Sequence, residues 1–277
     1  MGTEKPADRP TDKADRPTFA SLLASAINEP GTVAEAYRAF HGYSLGNQML
    51  AAIQCHERSI PLGPIASYQA WKDKGRHVKR GEKALWLWLP ITVKVAPKVT
   101  DPEHPEAEPS VVTPVVTRFV MKPHWFVYSQ TDGQEIQPEP IPEWNRTRAL
   151  TTLEISEIPF DLPDGNVQGF ARARSIAVSP VAAMPHKTTF HEMAHVLLGH
   201  TGDTAGNPVN DGADLPRNLR EVEAESVAYL CLESLGLPGG QYARGYVQHW
   251  LGRERIPEAS CARIFKVADS ILRAGHE

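Results

Sequence analysis

The chain has 277 residues, of which 41% are hydrophobic and 22% charged, with a formal net charge of −4. That composition belongs to globular proteins, excludes a fibrous or largely disordered chain, and at this length suggests two modest domains. No apolar run approaches the ~20 residues that cross a bilayer, so no membrane partner is expected. The near balance of charge confines any nucleic-acid affinity to local clusters.

The first residues, 1–16, are polar and read as a disordered tail. From Thr18 to about Arg58, apolar residues recur at spacings of three and four (Phe19, Leu22, Leu23, Ile27; Val33, Ala36, Tyr37, Phe40; Leu45, Met49, Leu50, Ile53), which predicts three short helices with Thr32 and Ser44 as N-caps. Leu85 to Val95 and Val115 to Ser129 are dense in β-branched and aromatic residues and predict strands, joined by the Pro/Glu-rich segment Pro97 to Pro109 as a hairpin loop. Residues 130–144 are rich in proline and acidic residues, and a domain boundary is placed there. Beyond it, Gly169 to Ser179 alternates like one strand. Helices are expected over Pro185 to Gly199, Pro216 to Leu235 (ended by Gly236) and Pro257 to Arg273. The fold class is therefore α+β, with domains at 17–138 and 139–277. Cys55, Cys231 and Cys261 are far apart and odd in number, which fits free thiols in a reducing cytoplasm.

The strongest chemical signal is His191-Glu192-Met193-Ala194-His195. Histidines four residues apart on a helix share one face and present two imidazole nitrogens to one ion, while Glu192 on the neighbouring flank can reach a water at that ion as general base. The competing reading is an ordinary helix with surface histidines. Phe190, Ala194, Leu197 and Leu198 count against it by making the helix substantially apolar. A third histidine six residues on, as in one class of zinc peptidases, is absent because Thr201 stands there and His200 falls one position early. Arg220-Glu221-Val222-Glu223-Ala224-Glu225 offers a carboxylate instead. Glu221 and Glu225 share a face, Glu223 points away, and Ala224 and Ala228 allow close helix approach. Glu221 is expected to ligate and Glu225 to orient one imidazole. Two histidines and one glutamate leave a fourth position open on Zn2+, which defines a catalytic site and makes peptide hydrolysis the expected chemistry. The strand near Arg174 to Ser179 is expected to hold an extended substrate by edge pairing. Tyr229 and His186 are candidates for oxyanion stabilisation by sequence proximity alone.

Between Tyr68 and Lys83 six basic residues face two acidic ones, with Tyr68 and Trp71 interleaved. Aromatic faces for base stacking beside cations for phosphates suit single-stranded nucleic acid, whereas the plain alternative is a solvated turn with one buried tryptophan.

Three stretches then resemble the ArdC-type antirestriction proteins of plasmids and mobile elements: Tyr43 through Leu50, Trp71 through Lys83, and Trp125 through Thr131. The HEMAH helix and the EVEAE segment follow in the order that family uses. The resemblance implies an N-terminal helical and β-hairpin domain that binds single-stranded DNA, followed by a gluzincin-like zinc metallopeptidase domain similar to ImmA/IrrE-type peptidases. By match to its motifs, Tyr43, Asn47, Gln48, Trp71, Lys72, Arg76, Lys79, Arg80 and Lys83 are the expected DNA surface. The function expected is a DNA-associated zinc peptidase acting on an unidentified protein in antirestriction. The alternative is a non-proteolytic DNA-binding protein whose zinc domain is structural.

Overall fold

The computed structural model describes residues 17–94, 115–137, 140–162, 166–201 and 215–276. It divides into two compact units, one formed by residues 1–62 with 137–277 and the other by residues 63–136. The α+β class holds. The expected tail at 1–16 and the Pro97 to Pro109 loop lie outside the described residues.

The larger unit is built around α7 (Arg217–Leu235), which packs against α2 (Thr32–Phe40), α6 (Pro185–Leu197), α8 (Gly240–Leu251) and α9 (Glu258–Ala274). With neighbours on every side, this helix buries thirteen of its nineteen residues, including Leu219, Val222, Val227, Leu230 and Leu232. A helix surrounded in this way need not be amphipathic. Each fully buried Leu or Val contributes roughly 1.5–3 kcal/mol relative to exposure.

The three N-terminal helices, α1 (Phe19–Asn28), α2 and α3 (Leu45–Glu57), form where periodicity placed them. Thr18 and Ser21 cap α1 reciprocally. Ser44 occupies the N-cap of α3, whereas Thr32 is the first helical residue of α2, with Gly31 (φ 92°) before it. Expected as part of the first domain, they belong instead to the unit that carries the C-terminal helices. Glu258 of α9 accepts from the first-turn N–H groups of Phe19 and Ala20 (2.8 and 2.9 Å), and Asp269 accepts from Leu45 N–H at 2.9 Å. Tyr229 and Arg244 donate to the Ala26 and Ile27 carbonyls at the end of α1. These long-range caps satisfy helix-terminal groups that local sequence leaves open, and local periodicity carries no trace of them. The chain leaves and re-enters this unit at 62/63 and 136/137.

The same unit holds a three-stranded sheet in the order β6-β8-β7, with β6 at Ser156–Glu157, β7 at Gly169–Arg172 and β8 at Ser175–Val178. The single strand expected over Gly169 to Ser179 is therefore a hairpin, turned at Ala173 (φ 49°) and Arg174. Its β7 lies at the sheet edge and packs on α6. Helix α5 (Arg146–Thr152), capped by Asn145, and helix α8 complete the unit and have no counterpart in the sequence reading.

In the smaller unit, β3 (Leu85–Lys94) and β4 (Val115–Val127) form the expected antiparallel ribbon, and β1 (Ile65–Ser67) adds to the other edge of β4. A short helix α4 (Tyr68–Asp73) leads to β2 (Arg76–Val78), which pairs with β5 (Thr131–Gly133). Leu85, Leu87, Trp125 and Val127 are buried between these elements with Trp71.

Candidate metal centre

Pro185 starts α6 at a position where its missing N–H costs nothing. One turn separates His191 from His195, whose Nε2 atoms lie 3.1 Å apart. Glu221, projecting from α7, brings Oε2 to 3.5 Å from His191 Nε2 and 3.7 Å from His195 Nε2. All three expected ligands thus meet at one point, each half-buried. A tetrahedral ion with bonds of about 2.0–2.1 Å sets its ligand atoms roughly 3.3–3.4 Å apart. The cluster is within a few tenths of an ångström of that spacing before any ion is added. Two nitrogens and one carboxylate oxygen form a borderline donor set that suits zinc and its neighbours among the divalent metals.

Electrostatics in the cluster follow from the same packing. Burial pulls His191 down, but the carboxylates of Glu221, Glu225 and Glu192 outweigh it and raise the imidazole to about 9. Hydrogen bonds from His191 and His195 hold Glu221 well below the usual carboxylate range. Burial opposes ionisation of Glu225, yet His191 and Lys187 hold it low. Glu225 Oε1 sits 3.4 Å from His191 Nδ1 and accepts from Lys187 Nζ at 2.6 Å. It therefore stands behind the ring that Glu221 meets from the front. Glu192 differs from the other three. It is buried at 7% exposure and its carboxyl is pushed up by desolvation, only partly offset by His191 and His195.

A cavity of about 400 Å³ opens beside these groups, lined by Gln168, Gly169, Lys187, His191, Glu192 and Glu225 among others. Gly169 at the start of β7 has no room for a side chain. A Cβ there would fall 2.5 Å from Thr188 Cγ2, 2.9 Å from the Ala177 carbonyl and 3.2 Å from Glu192 Cγ. The glycine thus lets the sheet edge approach the helix flank that carries Glu192. The strand expected to pair with a substrate, β8, is engaged on both sides, and β7 is the edge available beside the cavity.

Other expectations resolve differently. Tyr229 is buried and donates to Ala26 O at 2.6 Å, and His186 is exposed on the first turn of α6, so Tyr229 is committed to holding α1. Glu223, expected to face away, is fully buried and bound to His200 and Arg263. Lys187, His200, Arg263 and Gly169 were not found from sequence. Gly199 followed by a histidine at the end of the motif helix was the one available signal.

The residues proposed for DNA separate by burial. Gln48 is buried and donates to Tyr43 O at 2.7 Å, Asn47 is buried, and Tyr43 is half-buried. In the smaller unit Trp71 is buried with Nε1 donating to Phe126 O at 2.8 Å. Arg76 is buried, stacks over the Tyr128 ring at 3.9 Å and donates to Thr131, Gly133 and Gln134. Lys72, Lys79, Arg80 and Lys83 are exposed. Lys79 also reaches Ser129 O at 3.0 Å and Asp132 at 3.6 Å.

Fold and cluster together describe an α+β protein with two histidines and one glutamate placed so that they could hold a metal ion. Residues 25–119, about a third of the chain, match the family described as the N-terminal domain of anti-restriction factor ArdC. Over 93% of both chains it shares the fold of the metal-free antirestriction ArdC protein from the R388 plasmid, with 18% identity and a TM-score of 0.53. The Mn(II)-bound structure of that plasmid protein matches with the same TM-score, 15% identity, and coverage of 93% of this chain and 96% of that one. No protein of curated function matches the sequence.

Proposed function

We propose that this chain is a divalent-metal peptidase of the antirestriction type, using zinc, whose smaller unit contributes to binding single-stranded DNA. The observation that carries the peptidase reading is the meeting of His191, His195 and Glu221 at one point with a buried Glu192 beside an open cavity. Three protein ligands leave a position free, whereas a purely structural zinc site is closed by four. When bound there, the metal supplies Lewis-acid polarisation of a carbonyl and a water made acidic enough to attack at neutral pH.

The residues do the rest. Glu192, kept from ionising easily by its burial, takes a proton from the attacking water and returns it to the leaving amine. Gly169 and the β7 edge hold an extended peptide by main-chain hydrogen bonds. Lys187 and Glu225 keep the His191 ring from rotating. In the smaller unit, exposed Lys72, Lys79, Arg80 and Lys83, with Tyr68 at 56% and Phe119 at 70% exposure, supply cations and aromatic faces for a single strand. The R388 plasmid protein that shares this fold is an antirestriction protein, and that gives the proposal its biological setting.

The test is hydrolysis of an unfolded protein by the purified full chain loaded with zinc, with manganese, or stripped by chelator. Cleavage that requires metal and disappears in Glu192→Gln supports the proposal. Full metal loading with no cleavage of any substrate, including in the presence of single-stranded DNA, favours the non-proteolytic alternative.

A further inference from the structure

His191 has a carboxylate behind it, but His195 meets another imidazole. The cause is local. Leu198 caps α6, Gly199 adopts φ 76°, Gly199 N–H bonds Val196 O at 3.3 Å and His200 N–H bonds His195 O at 2.9 Å. This is the paired 6→1 and 5→2 pattern that closes a helix through a left-handed glycine. It folds His200 back over the last turn, where a hydrophobic contact is usual, and sets its Nδ1 3.0 Å from His195 Nδ1. On its far side His200 Nε2 lies 2.8 Å from Glu223 Oε2, and Arg263 Nη2 lies 2.7 Å from Glu223 Oε1. The His200 and Glu223 side chains are 1% and 0% exposed.

We infer that His200, held by Glu223 and Arg263, is a positioning residue that fixes the tautomer of His195, so that the Nε2 lone pair of His195 faces the metal. The inference rests on the metal-site reading above and extends it to three residues outside the ligand set. Glu223, an ionised carboxylate paired with Arg263, can only accept, so His200 Nε2 carries a proton. Between two Nδ1 atoms 3.0 Å apart there is room for one proton. A neutral His200 already protonated at Nε2 presents a bare Nδ1. The shared proton therefore belongs to His195 Nδ1, and its Nε2 is left bare toward His191 and Glu221. The opposite assignment would place an N–H on His195 Nε2, aimed at the ion. Ligating imidazoles ordinarily gain this orientation from one carboxylate or carbonyl. Here an imidazole is interposed, and Arg263 balances the charge at the far end.

Two measurements on the zinc-loaded full chain test this. Long-range ¹H–¹⁵N spectra of histidine-labelled protein should show His200 protonated at Nε2 with a bare Nδ1, and His195 protonated at Nδ1. A His200 ring protonated at Nδ1, or at both nitrogens, overturns the inference. Glu223→Gln offers an amide that satisfies Arg263 with its oxygen and turns its NH₂ to His200, which favours the wrong tautomer. Its zinc affinity, by chelator competition, should fall about 10–100-fold with the melting temperature of the zinc-free protein near wild type. Unchanged affinity overturns the relay, and if this variant does not fold, the wild-type spectrum decides alone. A wild-type chain that binds no zinc defeats the metal reading itself, whereas equal binding by wild type and variant defeats only the relay.

Discussion

Four glutamates gather around three imidazoles, His191, His195 and His200, and end in different states, which is the residue-scale basis of the site. Glu221, Glu223 and Glu225 each gain cationic or N–H partners that hold them ionised, while Glu192 has burial as its main influence and is pushed the other way. Separation of this kind would let one carboxylate move a proton while the others stay charged. His191 gives a pH prediction. Its imidazole is raised from 6.5 to about 9 in the metal-free chain, so its proton stabilises the fold fully below about 6.5, and that stability is lost as pH rises through about 9. Metal needs the neutral ring, so zinc uptake at pH 7 should release about one proton from this residue and tighten toward pH 9. Calorimetry in buffers of different ionisation enthalpy reads this directly, and uptake without proton release contradicts it. Ligand roles divide similarly. Glu221→Ala should abolish zinc binding, whereas Glu225→Ala should weaken it about 10–100-fold, and the reverse order would exchange the two assignments.

At the scale of elements, β7 and α6 are close because residue 169 is glycine. Gly169→Ala would force apart Thr188, the Ala177 carbonyl and Glu192. An overpacked contact of this kind costs about 1–3 kcal/mol, so the variant should melt several degrees lower and, where peptide cleavage is measurable, raise KM. Wild-type melting and KM would show that the edge does not need the close approach. The motif helix and the long α7 were legible from their ends, Pro185 and Gly236, and the β3/β4 ribbon from its density of β-branched and aromatic residues. The β7/β8 hairpin was not, since its turn uses Ala173 and Arg174, residues without turn preference. Glu223 was misplaced because i,i+2 geometry puts it opposite Glu221, and a helix packed on all sides has no solvent face to turn it toward. The His200 relay depended on a left-handed Gly199 and on a partner 23 residues away, which no local pattern announces.

Across the whole molecule, the division of the chain is the largest difference from the sequence reading. Residues 63–136 form their own unit, and the helices before them cap and pack on α7 and α9. The region matched to the ArdC N-terminal domain, 25–119, thus draws on both units. Burial also sorts the basic cluster. Arg76→Ala removes a stacked guanidinium with several hydrogen bonds and should lower the melting temperature of the protein. Lys72→Ala with Arg80→Ala, both exposed, should leave melting unchanged but weaken single-stranded DNA binding and flatten its salt dependence. Salt-independent binding, or none, would remove DNA from the account.

Proteolysis at the metal cluster, the function proposed above, has a direct readout in cells. Cells producing equal amounts of wild-type and Glu192→Gln chain, both with full zinc content, should differ in newly formed protein N-termini. At least one cleavage should be present only with wild type, with a rate at least ~10²-fold above the variant, as expected for loss of a general base. Identical termini in the two, with zinc bound in both, would contradict it.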